Sequence, residues 1–471
     1  MDVIKKNISI IIMLLILVFN SVYSQENTGY KTRVLETVEI EILTSFYTQD
    51  GNNAAVTGGI GTEELTDAAT YINISIPINE DDILSIDGTV SAYSSASSSN
   101  LNPFTSASTS DTVTGSPWVE SSGASRKDVW TNANVAYSHS SDDRNNITGI
   151  NISYANEYDY SSLGFGGNFA QLFNNKNTEI GIRANVFLDN WRPVYPTEII
   201  SYLNEGGDLN EGFFADVDIL NSNGEEVDYT GPDIWSPVSN TLVEDNTRNT
   251  YSFSVIFSQI LTPDTQVSLF SDLVIQTGWL SNPMQRVYFS DRDNYFIGNP
   301  ASIPYYTSQD NTNVFQLADD IERLPDSRIK TPVGLRLNYY INEYFVLRNY
   351  YRYYFDDWDI KSHTAEMEIP IKISDKFTLY PSYRYYTQTA SKYFAPYEKH
   401  LSAEEFYTSD YDLSEFSASQ FGFGIKYIDI LTGLLIWKFG LKSVSLDYSY
   451  YNRDTGLKSH IVTFGLKFLV F

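Results

Sequence analysis

Six charged residues in the last third of the chain stand where they would act together: Arg336, Arg348, Arg352 and Arg384, with Glu366 and Glu368. Guanidinium groups set against carboxylates have two uses. Facing a water-filled lumen, they select ions by their field, as at a channel constriction. Facing each other, they fill the space and tie its walls together, because an unpaired charge in such a setting is costly. A second group is Asp50, Asn52, Glu63 and Glu64, in a glycine-dense segment whose oxygen atoms suit a calcium ion. That segment lacks the full Asp-x-Asn-x-Asn-Gly run closed by a glutamate. A glycine-permitted turn folded over its neighbours explains it as well. Neither Lys nor Ser/Thr follows the glycines as a phosphate-binding loop requires.

The four histidines are His139, His363, His400 and His460. None has a histidine partner at metal-ligand spacing, so no zinc site is expected. His363 and His460 fall in the outward phase near strand ends, and His400 lies in a loop. A Ser–His–acid arrangement on a barrel rim is the enzymatic alternative, but girdle positions account for these residues more simply. The chain is read as a non-enzyme without a cofactor.

The elements that would position these residues are strands. In the last stretch, 458–471, Val462, Phe464, Leu466, Phe468 and Val470 share one face, and Thr463, Gly465, Lys467 and Leu469 share the other. Period-two alternation marks a strand between an apolar and a polar environment. Phe471 ends the chain one position out of phase. Similar alternation is expected over 34–47, 71–78, 83–94, 129–138, 147–157, 163–173, 180–188, 251–260, 266–277, 333–340, 345–355, 360–373, 377–387, 416–427 and 444–451. That is about sixteen strands (14–18), the count depending on whether 428–440 hides a hairpin. An even count suits a single-chain transmembrane antiparallel β-barrel. With a periplasmic amino terminus, the long connections fall on the extracellular side and nearly all short turns on the periplasmic side. The phase then turns Arg336, Arg348, Arg352, Arg384, Glu366 and Glu368 into the lumen. Glu39, Glu41, Arg183, Asp189, Asp272, Lys426, Asp447 and Lys467 stand further round the wall. The acidic connection 191–249 reads as solvated surface.

Composition fits this all-β reading. The chain has 471 residues, 36 Tyr and 27 Phe, enough for the aromatic girdles of a barrel. A net charge of -28 argues against nucleic acid. Cysteine is absent, which excludes disulfides, thiolate metal sites and lipid attachment through an amino-terminal Cys. Lys5 and Lys6, an apolar run over 8–19 and a small-polar stretch ending at Ser24 have the layout of a secretory signal. Residues 1–24 are therefore expected to be removed, leaving 25–471 as one barrel domain in the outer membrane of a Gram-negative bacterium. Its expected partners are outer-membrane lipid and, through the carboxy-terminal strand, the barrel insertion machinery.

Several stretches resemble an outer-membrane barrel family known only as a domain of unknown function, found mainly in Bacteroidetes-type bacteria. They are Thr48-Gln49-Asp50-Gly51 running on to Gly61-Thr62-Glu63, Ser122-Gly123-Ala124-Ser125-Arg126-Lys127-Asp128, Tyr353-Tyr354-Phe355-Asp356-Asp357-Trp358-Asp359, and Tyr383-Arg384-Tyr385-Tyr386 to Tyr393-Phe394. The resemblance spans nearly the whole mature chain. It implies the fold and location already read from the residues, and it brings no catalytic residues. It also implies a periplasmic redox partner, which none of these stretches carries. Two functions stand: a porin-like channel or transporter for small polar solutes, and a plugged barrel that anchors a periplasmic or surface partner.

Overall fold

Apolar residues recur at every second position along most of the chain, and a strand with that pattern must bury one face or meet an apolar solvent with it. The computed structural model describes residues 33–94, 128–215, 217–229, 234–239, 241–242, 246–306, 314–429 and 432–471. The signal-like segment 1–24, most of the serine-rich stretch 94–116 and the motif 122–127 lie outside them, as do Asp216 and Asp233 of the acidic connection.

Sixteen strands form one wall. They are β1 (Val38–Asp50), β2 (Leu65–Pro77), β3 (Asp82–Ser94), β4 (Asp128–Ser140), β5 (Asn146–Asn156), β6 (Tyr160–Phe173), β7 (Thr178–Trp191) and β8 (Thr247–Thr262), then β9 (Thr265–Gly278), β10 (Ser327–Tyr340), β11 (Val346–Asp356), β12 (Lys361–Glu368), β13 (Phe377–Gln388), β14 (Phe416–Ile428), β15 (Phe439–Arg453) and β16 (Lys458–Val470). Each pairs antiparallel with its chain neighbours. β1 pairs with both β2 and β16, which closes the barrel and leaves no edge. The expected sixteen-strand barrel is the one observed. No helix among the described residues is long and apolar enough to cross a membrane.

The wall is inverted relative to a water-soluble barrel. Phe46, Ile72, Val135, Ile152, Phe253, Leu335, Phe423 and Phe464 stand exposed on the outside. Ser45, Asn73, Asn134, Ser153, Ser252 and Arg336 occupy the alternate, inward positions. An apolar outer band of this extent far exceeds what a monomeric soluble protein shows water.

Several strands run further than their periodicity suggested. β2 starts at Leu65 rather than 71, and β8 at Thr247 rather than 251. Thr66, Ala68 and Thr70 hold the outward positions there, so the hydrogen-bonded ladder outlasts the apolar pattern. The expected strand over 360–373 is broken. β12 ends at Glu368 and a strand resumes only over Ile371–Lys372, because Pro370 has no N–H for the ladder. Between β14 and β15 the described residues add no further wall strand: Leu435–Ile436 fold back on Phe439 and Gly440 as a tight hairpin at the start of β15. Phe471 is out of phase because it has left the ladder. Its N–H donates to the Lys438 carbonyl, and its ring lies over Gly440, where a Cβ would come within 2.7 Å of it.

The connections divide as expected. At the end bearing Val38 and Phe471 the connections are mostly tight turns, the longest being 369–376 and 429–438; at the other end lie residues 51–64, 192–246, 279–326 and 389–415, with shorter links at 157–159, 357–360 and 454–457.

Candidate functional site: a charged vestibule beneath a loop plug

Strand register decides which lumen charges meet. One rung runs Arg336, Tyr350, Glu366, Arg384 across β10 to β13, and the next runs Asn338, Arg348, Glu368, Ser382. Arg384 grips Glu366 (Nε–Oε2 2.8 Å, Nη2–Oε2 2.6 Å), and Arg348 Nη1 lies 2.8 Å from Glu368 Oε1. Both pairs face the lumen half-exposed, where an ion pair contributes about 1 kcal/mol at most. Arg336 pairs with no carboxylate among the described residues. It lies over Tyr350 and Phe270, 5.5 and 5.9 Å from their centroids, and those rings stack at 5.7 Å. Gly334 makes this possible, since a Cβ there would sit 2.0 Å from the Phe270 ring. Arg352, in the rung of Gly334 and Thr364, has no carboxylate partner among the described residues. The six residues thus share one patch of wall, four as two ion pairs and two as arginines without an acid partner among the described residues.

The remaining wall is of two kinds. Near the short-turn end Glu39 accepts from Lys442 and Lys467, each at 2.7 Å. From β3 to β8 the lining mixes serine and threonine hydroxyls with a row of carboxamides. Asn134 donates to Asp87 (2.8 Å), Asn151 to Asn134 (3.3 Å) and Asn185 to Ser252 (3.3 Å). Gly166 lets these side chains lie flat, because a Cβ there would meet the Oδ1 atoms of Asn151 and Asn185 at 2.2 and 2.3 Å.

Towards the long-loop end the inward face becomes buried. Tyr47, Ala69, Arg248, Gln276, Arg328, Thr364, Gln388, Arg453 and Thr463 are all below a tenth exposed. What covers them is a plug built from four connections. Gln388 Nε2 on β13 donates to the carbonyls of Asp412 (2.9 Å) and Ser414 (2.6 Å). Arg453 Nη1 on β15 reaches Asp412 Oδ1 at 2.8 Å. On the other side, Asp410 and Leu413 border a cavity of about 10 Å³ shared with Arg248, Gln276 and Arg328 of β8, β9 and β10. That space holds one water at most. A segment that bonds to β13 and β15 and lines the same small cavity as residues of β8, β9 and β10 spans the lumen. The 51–64 loop closes the remaining side. A Cβ on Gly59 would lie 2.7 Å from the Ser409 carbonyl, and Gly59 adopts a φ of +86°, open to glycine at little cost.

The connection 192–246 is therefore not merely solvated surface. It carries α1 (Thr197–Asn204) and contributes Ile199, Phe214 and Trp235 to an apolar core completed by Tyr288, Leu317 and Ile321 of 279–326. Trp235 Nε1 donates to the Ala318 carbonyl at 3.1 Å. Full burial of such side chains contributes roughly 1.5–3 kcal/mol each. Arg286 knots three connections. Its guanidinium takes both oxygens of buried Glu198 (2.7 and 3.2 Å) and donates to the Val56 carbonyl (2.9 Å). Tyr407 Oη donates to Asp320 (2.7 Å), which also binds Arg323 (3.0 Å).

Asp50, Asn52 and Glu64 are exposed, whereas Glu63 is buried and accepts the Asn53 N–H at 2.9 Å. Burial raises the Glu63 carboxyl, and it pushes Asp319 up to about 7 despite the Phe289 N–H and the Arg292 guanidinium beside it. His400 is buried in the plug between Glu404 (2.6 Å) and the Thr408 carbonyl (2.9 Å). His139 sits on Asp82 at 2.6 Å, on the outside of the short-turn end. Asp189, expected on an open lumen wall, lies in the buried zone. The plug core escaped sequence reasoning because its residues have no period. The available signal was the density of Trp, Phe and Tyr in connections otherwise rich in acids.

The sequence profile of a family described as protein of unknown function (DUF3570) matches residues 15–454. No curated protein matches the sequence. Among solved structures, a bacterial polysaccharide outer membrane secretin is 8% identical over 92% of this chain and 99% of its own, with a TM-score of 0.40. The Pseudomonas putida toluene transporter TodX is 10% identical over 92% and 89%, with a TM-score of 0.35. A Pseudomonas aeruginosa FadL homologue is 10% identical over 93% and 90%, with a TM-score of 0.34.

Proposed function

The chain belongs to the DUF3570 family of proteins of unknown function, and we propose that it is a gated conduit for small polar solutes in the outer membrane of a Gram-negative cell. The apolar outer band meets lipid, the short turns face the periplasm and the plugged end faces outward. One observation carries the reading. The inward face is polar, charged and half-exposed over the short-turn half of the barrel, and buried under the plug over the other half. A solute entering from the periplasmic side meets hydroxyls and carboxamides on one wall and, on the other, paired charges with two arginines that have no acid partner among the described residues. Passage then requires the plug to shift. The test is reversal potential in planar bilayers with a released plug. Arg348→Gln with Arg352→Gln should move ion preference towards cations, and an unchanged preference would sink the lumen assignment.

A second reading is favoured by the plug's own apolar core. A barrel so sealed would serve as an anchor for a periplasmic or surface partner. Pull-down from gentle detergent extracts should then recover a stoichiometric partner, and recovery of the barrel alone would count against it.

A further inference from the structure

Two hairpins at the plugged end are copies of one another. Tyr351-x-Tyr353-Tyr354, Asp357 and Lys361-Ser362-His363 on β11–β12 recur as Tyr448-x-Tyr450-Tyr451, Asp454 and Lys458-Ser459-His460 on β15–β16 at identical internal spacing. Part of the repeat is structural. Asp357 and Asp454 each hold the preceding strand through the same backbone pair, accepting from the N–H of Ile329 (2.9 Å) and Ser417 (3.0 Å). Ser362 and Ser459 are buried on the inward side.

The outward residues repeat too. Tyr351 Oη and His363 Nδ1 lie 2.7 Å apart, with Tyr353 packed 5.0 Å from the imidazole. Tyr448 Oη and His460 Nδ1 lie 2.8 Å apart, with Tyr450 at 5.1 Å. Each tyrosine hydroxyl holds its imidazole at Nδ1, and Nε2 has no hydrogen-bond partner among the described residues. Lys361 and Lys458 are exposed on the same face, two residues from their histidines. Neither ammonium has an ion-pair partner among the described residues, in a chain of net charge -28. Beneath His363, on the same face of β12, the register sets small Ala365 between Tyr351 and Tyr385. These residues, with Leu335, Met367 and Tyr383, line a shallow groove in the apolar band.

We propose that each hairpin binds the phosphorylated head group of an outer-leaflet lipid, with an acyl chain of the first lying in the Ala365 groove. A lysine ammonium and an imidazole N–H are charge-assisted donors for phosphate, and tyrosines at this level suit the head-group boundary. Asp50 stands opposite Lys458 in the register and has no counterpart beside Lys361. The β15–β16 site is therefore the weaker of the two. The proposal rests on the membrane reading above. Failure to insert into any bilayer would remove that reading, whereas insertion without lipid selectivity would remove this one alone.

The test is native mass spectrometry of the full folded chain in detergent with diphosphoryl lipid A or its dephosphorylated form. Two phosphorylated lipids should be retained, the second at lower affinity. Lys361→Gln with His363→Gln should lose the tighter lipid, weakening it at least tenfold, and Lys458→Gln with His460→Gln should lose the other. Lys361→Arg should retain both. Unheated electrophoretic mobility verifies that each variant is folded. Equal retention of the dephosphorylated lipid, two lipids on the fourfold variant, or displacement by millimolar inorganic phosphate would each overturn the proposal.

Discussion

Replacing Arg286 by methionine should release the plug without unfolding the barrel. The side chain binds both oxygens of Glu198 and the Val56 carbonyl, so three connections lose their common partner at once. Glu198 is only 2% exposed and would be left as a buried, unpaired charge. Removing one partner of such a pair costs about 3–5 kcal/mol. At about 1.4 kcal/mol per factor of ten, the ratio of released to seated plug rises by roughly two to three and a half orders of magnitude. Hydrogen exchange reads this directly. The amides of Ile200 and Phe289, bonded to the Pro196 carbonyl and the Asp319 carboxylate, should exchange faster by that factor, while amides in β16 keep their protection. Adding Glu198→Gln should restore part of the loss, because the stranded charge is gone. Unchanged exchange in the single variant, or a double variant as damaged as the single, would refute the reasoning.

Other expectations concern the wall and the pH dependence of the plug. Gly334→Ala should cost about 1–3 kcal/mol through overpacking and shift Phe270 off Tyr350, measurable as a lower urea midpoint with unchanged slope. Asp319 binds its proton more tightly in the seated plug than in the released one, with its carboxyl raised from 3.8 to about 7, and Glu63 is shifted the same way. Plug stability from these groups is therefore fully present below about pH 4, falls as pH rises towards 7 and is level above it. Exchange at Ile200 and Phe289 should be slower at pH 5 than at pH 8 after correction for intrinsic rates. Asp319→Asn should flatten Asp319's share of that difference.

How much of this could be read from the sequence follows from what each part obeys. The wall obeys a two-residue period, so Val462 to Val470, the inward Arg348 and Glu366, and the sixteen-strand count were all legible. Strand ends were less so, because outward Thr66 and Thr70 keep the ladder without keeping the apolar pattern. Pairing was half legible. Phase put four arginines and two acids on one wall, but only register decides that Arg384 meets Glu366 while Arg336 lies on Tyr350. The plug was illegible, because Trp235, Phe214 and Tyr288 meet through long-range contacts between aperiodic connections. Acidic composition described the exposed residues of 192–246 and missed the buried Glu198. The Tyr–Lys–His hairpin repeat was open to direct comparison of residues 351–363 with 448–460.

Single-channel recording bears most directly on the gated-conduit account. The wild-type barrel and Arg286→Met are reconstituted in planar bilayers under identical salt and voltage. The account predicts a mostly silent wild type and long openings in the variant, since the plug covers the inward face at the long-loop end. A wild type that is steadily open with the same conductance as the variant would show that the plug does not close the lumen. Silence in both, with the variant's plug amides exchanging freely, would show that the barrel is no conduit.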